Sequence, residues 1–154
     1  MQNIISKIAV VIPCSKTKRK GQLKAIHKYS GRIYKHVLRM QKDYKFDIFI
    51  YSAKYGIIGE TTIIDDYNET FQNMSKKERI KKAELLETTS RIKKISKQYD
   101  KVIVSVGSSY MEGLKSEGNI YIIKRTKEHS RKGSILAPAT ALYDYFEKTN
   151  KSKV

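Results

Sequence analysis

Short apolar runs alternate with longer amphipathic stretches along the chain. Four of the runs are rich in β-branched residues and continuous, a pattern typical of strands buried on both faces of a parallel sheet. They lie at Lys7 to Ile12, Phe46 to Tyr51, Val102 to Val106 and Ile120 to Ile123. The stretches between them are long enough for right-handed crossover helices. The pattern predicts an α/β fold: a three-layer open sheet of mostly parallel strands with helices on both faces, with a two-layer arrangement as the alternative.

Capping residues predict where three helices begin. Ser30 is a candidate N-cap for the helix that follows the first strand. Ser75 and Glu78 have the spacing of a capping box, which predicts a helix running toward Gln98. Pro138 suits the first turn of a closing helix.

Length and composition indicate one cytoplasmic domain. The 154 residues suit a single α/β domain over residues 1–149, followed by a frayed basic tail at 150–154. Cys14 is the one cysteine, so no internal disulfide is expected and a reducing compartment is indicated. No apolar run approaches the roughly 20 residues that cross a bilayer, so we expect no membrane association.

The net charge of +17, from 32 Lys and Arg against 15 Asp and Glu, predicts a polyanionic partner. Such a charge creates a field that attracts nucleic acid, either DNA or RNA, or a nucleotide. The alternative is a compositional bias toward Lys and Ile without any selection for binding. A protein partner is not indicated by any motif.

Polar residues follow three of the predicted strands. Because the carboxyl ends of parallel strands meet at one edge of a sheet, we expect these loops to form a single site there. Small hydroxyl residues and glycines permit close backbone approach, and lysines supply positive charge, so the set is typical of a phosphate-accepting site. The loop residues are Cys14, Ser15, Lys16, Lys18, Ser52, Lys54, Tyr55, Gly56, Gly107, Ser108 and Ser109.

Three residues each allow two interpretations. Asp66 is a candidate general base, or part of a turn in which Asp and the neighbouring Asn68 bond their own backbone. Cys14 is a small buried residue, or a reactive thiolate stabilised by nearby lysines. Tyr67, like Tyr55, either stacks on an unpaired base or covers the core with its hydroxyl in water.

Metal and cofactor signatures are missing from the sequence. His27, His36 and His129 are scattered and lack a His or Cys partner at ligand spacing, so no metal is expected. The chain has neither the phosphate-binding loop of nucleotide triphosphatases nor the glycine fingerprint of dinucleotide enzymes. We therefore predict no cofactor.

The motifs resemble those of known families. The string from Ile12 to Lys18, Tyr29-Ser30-Gly31, the Ser52 to Gly56 loop and Asp66-Tyr67-Asn68 resemble a family of small uncharacterised prokaryotic and phage proteins. A more distant similarity links Pro13, Cys14 and Lys18 to the opening motif of the archaeosine synthase catalytic domain. This second resemblance implies a uracil-DNA-glycosylase-like fold associated with modified guanine bases.

The sequence thus predicts an enzyme that processes nucleic acid, a nucleobase or a nucleoside by base modification or glycosidic-bond chemistry, and the second resemblance implies a deazaguanine-related base as one substrate. The catalytic candidates are Cys14, Lys18, Lys54 and Asp66. The candidate substrate contacts are Ser15, Lys16, Ser52, Tyr55, Gly56, Tyr67, Asn68, Gly107, Ser108 and Ser109. The alternatives are a noncatalytic basic nucleic-acid-binding domain and a small-nucleotide hydrolase or transferase.

Overall fold

A computed structural model describes residues 7–124, 126–131, 133 and 136–151, without the side chains of 150 and 151. Seven strands lie in the described residues: β1 (Ile8–Pro13), β2 (Leu23–Lys24), β3 (Asp47–Ser52), β4 (Gly56–Gly59), β5 (Ile63–Ile64), β6 (Lys101–Val104) and β7 (Ile120–Ile122). The same residues form five α-helices: α1 (Ala25–Lys28), α2 (Arg32–Tyr44), α3 (Lys76–Leu85), α4 (Thr88–Ser96) and α5 (Ala137–Lys151).

Five strands form one open sheet in the order β4-β3-β1-β6-β7. All pairs are parallel except β3 with β4, and β1 lies in the centre with Val10 opposite Ile48 and Ile103. The chain therefore passes from β1 to β3 on one side and later to β6 on the other. This reversal puts a topological switch point between β1 and β6, where open α/β sheets generally bind ligands.

Side chains of β1 alternate between two cores, which explains its continuous apolar run. Val10 and Ile12 join the cluster that contains the inner faces of α2 and α5. Ala9 and Val11 join the cluster on the opposite face, which contains Ile92 of α4. Helices on both faces bury the strand from Ala9 to Pro13, so the predicted α/β class and its three layers are confirmed.

The predicted strands are confirmed to within one or two residues, but one short edge strand and one small two-stranded sheet were not foreseen. β4 is an antiparallel edge strand that follows β3 directly, and β2 pairs with β5 in a separate two-stranded sheet. Both elements are too short to produce a periodic pattern. In the described residues, no helix has the length and apolar character needed to span a bilayer.

Two helix predictions need correction. The N-cap of α2 is Gly31 and not Ser30, because Ser30 belongs to an extended segment in which its N–H donates to the Thr17 carbonyl at 3.1 Å. The helix expected from Ser75 to Gln98 is two helices, α3 and α4, separated where Glu87 adopts a left-handed φ of 54°.

The break after α3 lets α4 approach the sheet. Thr88, the first residue of α4, is buried, and its Oγ1 lies 2.9 Å from the hydroxyl of Tyr51 in β3. The Ser75 capping interaction at the start of α3 is confirmed, since its Oγ accepts the Glu78 N–H at 3.2 Å.

The closing helix begins as predicted, with Pro138 in the first turn of α5. Its apolar side packs on the core through Leu142 and Phe146, which are both buried. α5 continues through Lys151. The rest of the tail that was expected to fray, residues 152–154, lies outside the described residues.

Candidate functional site

The loops after β1 and β6 meet at the switch point. The Sγ of Cys14, which follows β1, lies 3.0 Å from the hydroxyl of Tyr110, which ends a short 3-10 helix after β6. The Cys14 N–H continues the strand pairing by donating to the Tyr51 carbonyl at 3.0 Å. We call the region formed by the loops after β1, β3 and β6 the carboxyl-edge site.

Burial, and then the proximity of Cys14, raise the pKa of the Tyr110 phenol well above its ordinary range. The phenol therefore keeps its proton at neutral pH and can donate a hydrogen bond to the sulfur. Cys14 itself is partly buried and faces this hydroxyl, and a reactive thiolate at this position stays a prediction.

A chain of three hydrogen-bonded hydroxyl groups connects the end of β3 to the segment that precedes α2. Ser52 Oγ donates to the Tyr67 hydroxyl at 3.1 Å, and that hydroxyl lies 2.5 Å from the hydroxyl of Tyr29. All three side chains are buried. Burial is also the main reason that the pKa of Tyr29 is raised to about 12, so this chain stays protonated near neutral pH.

Ser52 also shapes the loop that carries Lys54. Its Oγ accepts the N–H groups of Lys54 and Tyr55, each at 3.1 Å. This places the exposed Lys54 side chain above the ring of Tyr55, with Nζ 5.3 Å from the ring centroid. Gly56 is buried in β4, where an added Cβ would lie 3.2 Å from the Leu86 carbonyl oxygen, and its role as a substrate contact stays a prediction.

Lys18 and Tyr55 cover the ring of Tyr67. Lys18 Nζ is 4.5 Å from the Tyr67 ring centroid, and the Tyr55 ring packs edge-on against it at 5.6 Å. Tyr67 is 8% exposed, so it belongs mainly to the wall of the site. Tyr55 is half-buried and is the better placed of the two for stacking against a base.

The loop after β1 is fixed by a close approach to the start of α2. Ser15 Oγ donates to the Thr17 carbonyl at 2.6 Å and accepts the Gly31 N–H at 3.2 Å. A Cβ on Gly31 would lie 2.5 Å from the Ser15 Cβ, a distance that real contacts do not reach. Glycine is therefore required here by space. Lys16 extends from this loop into solvent.

The carboxylate of Asp66 forms an ion pair with Lys28. It accepts from the ammonium of Lys28, which is fully buried, and from the Gly21 N–H at 3.0 Å. The hydrogen bond from Lys28 is the main cause of a lowered Asp66 pKa. A lowered pKa makes a carboxylate a weaker base, so these contacts favour a positioning role for Asp66 over the predicted general base. Asp65 bonds the Asp66 N–H at 2.8 Å, as in a turn.

The remaining candidates lie at the same edge without distinctive contacts. Asn68 is exposed. Gly107 begins the turn after β6 and has open space where a Cβ would stand. Ser108 and Ser109 form the first residues of the 3-10 helix, with Ser108 exposed. Their roles as substrate contacts stay predictions.

The sequence places Tyr29 and Tyr110 in or near the predicted site but gives them no partner, and it does not identify Lys28. Tyr110 stood in a named loop, but only the strand order shows that this loop lies beside Cys14. Lys28 gave no signal, because a lysine next to other basic residues is normally exposed. Tyr29 belongs to the Tyr29-Ser30-Gly31 motif, which was the available clue.

A separate groove of about 560 Å³ lies between α3, α4 and the segment before β7. Its walls include Ile80, Thr89 and Leu114, together with the Lys93 and Glu117 ion pair. None of the candidate site residues lines it. The described residues contain no group of His, Cys, Asp and Glu that could hold a metal ion.

A family model covers residues 9–148 and is described as a family of unknown function, DUF6884. The chain belongs to DUF6884. The match includes all of the carboxyl-edge site. No curated protein and no solved structure matches this DUF6884 chain.

Proposed function

We propose that this DUF6884 protein is an enzyme that acts on a base of nucleic acid, or on a related nucleoside, at the carboxyl-edge site. The contact between Cys14 and Tyr110 across the switch point carries the proposal. The sulfur of Cys14 and the phenol of Tyr110 lie together at the position where open α/β sheets generally take their ligands, and in the proposed enzyme the sulfur acts as the nucleophile.

The lysines around this pair supply the charge for a phosphate group. Lys16 and Lys54 are exposed, and Lys18 lies over the Tyr67 ring at the border of the site. In this arrangement the lysines hold the phosphate, Tyr55 stacks on the base, and Cys14 with Tyr110 faces the reacting group. Asp66 is left out of the chemistry because Lys28 already holds it.

The similarity of Pro13, Cys14 and Lys18 to the archaeosine synthase motif suggests a deazaguanine-type base as one substrate class. We do not extend this to amidine formation, because Arg19-Lys20-Gly21 stands where that family has Pro-Tyr. Base modification and cleavage of a glycosidic bond are the two reactions that the site would serve.

A noncatalytic nucleic-acid-binding domain is the second candidate. The loop from Cys14 to Lys24 favours it, since this loop contains five basic residues and no acidic residue. A pure binder would lose affinity steeply with salt, and many lysines would contribute similarly.

Mass spectrometry of nucleosides and released bases separates the two candidates. The protein is incubated with tRNA, single-stranded DNA and duplex DNA, alongside Lys54→Ala, Cys14→Ala and the control Lys97→Ala. Lys97 is exposed after α4 and before β6 begins, so it lies toward the opposite edge of the sheet from the site loops. We expect a new or missing base with the wild type and Lys97→Ala, and none with the other two. No change on any polymer, together with salt-sensitive binding, would support the binding domain.

A further inference from the structure

The outer face of α2 is a basic stripe. Its exposed basic residues recur at helical spacing, so they share one side of the helix while the other side packs on the core. They are Arg32, Lys35, His36, Arg39 and Lys42. Asp43, at the far end, is the one acidic residue of α2.

Four cations of this stripe, Arg32, Lys35, Arg39 and Lys42, have no acidic partner among the described residues. Helices α3 and α4 also have lysines without an acidic partner among the described residues, but α3, α4 and α5 each have in addition one basic side chain in an ion pair. Arg79 of α3 bonds Glu112 at 2.9 Å, Lys93 of α4 bonds Glu117 at 3.3 Å, and Lys148 of α5 bonds Asp144 at 3.0 Å.

The stripe begins at the carboxyl-edge site. Gly31, the N-cap of α2, donates to Ser15 in the loop after β1, so Arg32 stands beside that loop. From there α2 runs back along the sheet toward the start of β3. At about 1.5 Å per residue, Arg32 and Lys42 are about 15 Å apart along the axis.

This length suits a polymer better than a single nucleotide. A strand of duplex nucleic acid has a phosphate about every 3.4 Å along its axis, so about four phosphates lie along 15 Å. A free nucleotide bound at Cys14 would leave most of the stripe unused. Unpaired cations at regular spacing, continuous with a phosphate-accepting loop, are the arrangement that follows a nucleic-acid backbone.

We infer that α2 binds the phosphate backbone of a nucleic-acid strand whose target base enters the carboxyl-edge site. This inference rests on the proposed function and narrows its substrate class to a polymer. Neutralising four phosphates releases their counterions. Each contact therefore adds about 0.7 to 0.9 to the magnitude of the slope of the logarithm of the binding constant against the logarithm of the salt concentration. The loop lysines hold the nucleotide at the site, and α2 holds its neighbours along the strand.

Two matched variants test the inference, each removing four positive charges. The first replaces Arg32, Lys35, Arg39 and Lys42 with Gln. The control replaces four exposed lysines of α3 and α4 with Gln, namely Lys76, Lys77, Lys81 and Lys94. Binding of fluorescent single-stranded DNA and tRNA is measured between 50 and 200 mM salt, with circular dichroism melts to show that each variant is folded. The single variant Arg39→Glu serves if the fourfold variant does not fold.

We expect the α2 variant to lose at least tenfold in affinity at about 100 mM salt and to lower the slope of log K against log salt by about 3, with little change in the control. Equal losses in the two variants would overturn the inference, as would wild-type binding to phosphatidylglycerol vesicles but not to either polymer. If the wild type alters no base but the α2 effect is present, the proposed enzyme fails while the binding surface stands. If bases are altered and the α2 variant binds like the control, the inference alone fails.

Discussion

The buried ammonium of Lys28 is held by the exposed carboxylate of Asp66, directly beside the hydroxyl contact between their chain neighbours. Those neighbours, Tyr29 and Tyr67, contribute two of the three hydroxyls in the hydrogen-bonded series that starts at Ser52. The ion pair therefore fixes the loop that carries Tyr67 against the segment that carries Tyr29. It acts on the site through position and not through contact with a substrate.

Removing only the acidic partner should destabilise the protein more than removing both charges. Asp66→Asn leaves the Lys28 ammonium buried with the Gly21 carbonyl, 2.5 Å away, as its remaining described partner. In the double variant Lys28→Met with Asp66→Asn, no buried charge is left uncompensated. Urea denaturation should show a lower free energy of unfolding for the single variant than for the double variant. Equal values would contradict a role for the buried charge.

The same pair predicts a pH dependence. The Asp66 pKa is lowered in the folded protein, chiefly by the hydrogen bond from Lys28. The ion pair's contribution to stability is therefore fully present above the pKa of Asp in the unfolded chain, about 3.9. As the pH falls below that value and through the lower folded pKa, the contribution is lost. The difference in unfolding free energy between wild type and Asp66→Asn should shrink below about pH 4, and a constant difference down to pH 2 would count against this interpretation.

Gly31→Ala tests the close approach between α2 and the loop after β1. The added Cβ would lie 2.5 Å from the Ser15 Cβ, so the loop that carries Cys14 and Lys16 must shift. We expect a loss of about 1 to 3 kcal/mol in unfolding free energy, and reduced turnover. Gly107→Ala is the matched control at the same edge, because nothing lies within 4 Å of its added Cβ. Its stability should change by less than about 0.5 kcal/mol; equal effects at the two glycines would refute the steric account.

Ser52→Ala tests whether the hydroxyl chain shapes the site. The substitution removes the acceptor for two N–H groups and the donor to Tyr67, at an expected cost of about 1 to 3 kcal/mol. Asn119→Ala is the control, since Asn119 Nδ2 donates to the Ser96 and Tyr99 carbonyls at 2.8 and 2.9 Å, before β7 begins and so at the opposite edge of the sheet. Both variants should melt at lower temperature, but turnover measured well below both melting temperatures should fall only for Ser52→Ala. Similar turnover in the two would show that the chain is structural.

The sequence predicts the sheet well and the site only in part. The four parallel strands were found because continuous β-branched runs are a direct consequence of burial on both faces. The Gly56–Gly59 strand was missed, because four residues flanked by glycine give no period. Which loops meet depends on the strand order, and the residues of the Cys14 and Tyr110 contact are 96 positions apart. Polar side chains at strand ends thus indicate the edge of the sheet where a site lies. Which of these side chains contact each other depends on the order of the strands in the fold.

The most direct test of the account is the rate at which iodoacetamide alkylates Cys14, measured with and without nucleic acid. Cys14 is the only cysteine in the chain, so the label reports on the carboxyl-edge site alone. If that site takes a base of the bound strand, saturating single-stranded DNA or tRNA should slow the alkylation several-fold, while Cys14→Ser remains unlabelled. An alkylation rate that does not change at polymer concentrations that saturate binding would contradict the account and place the nucleic acid elsewhere on the protein.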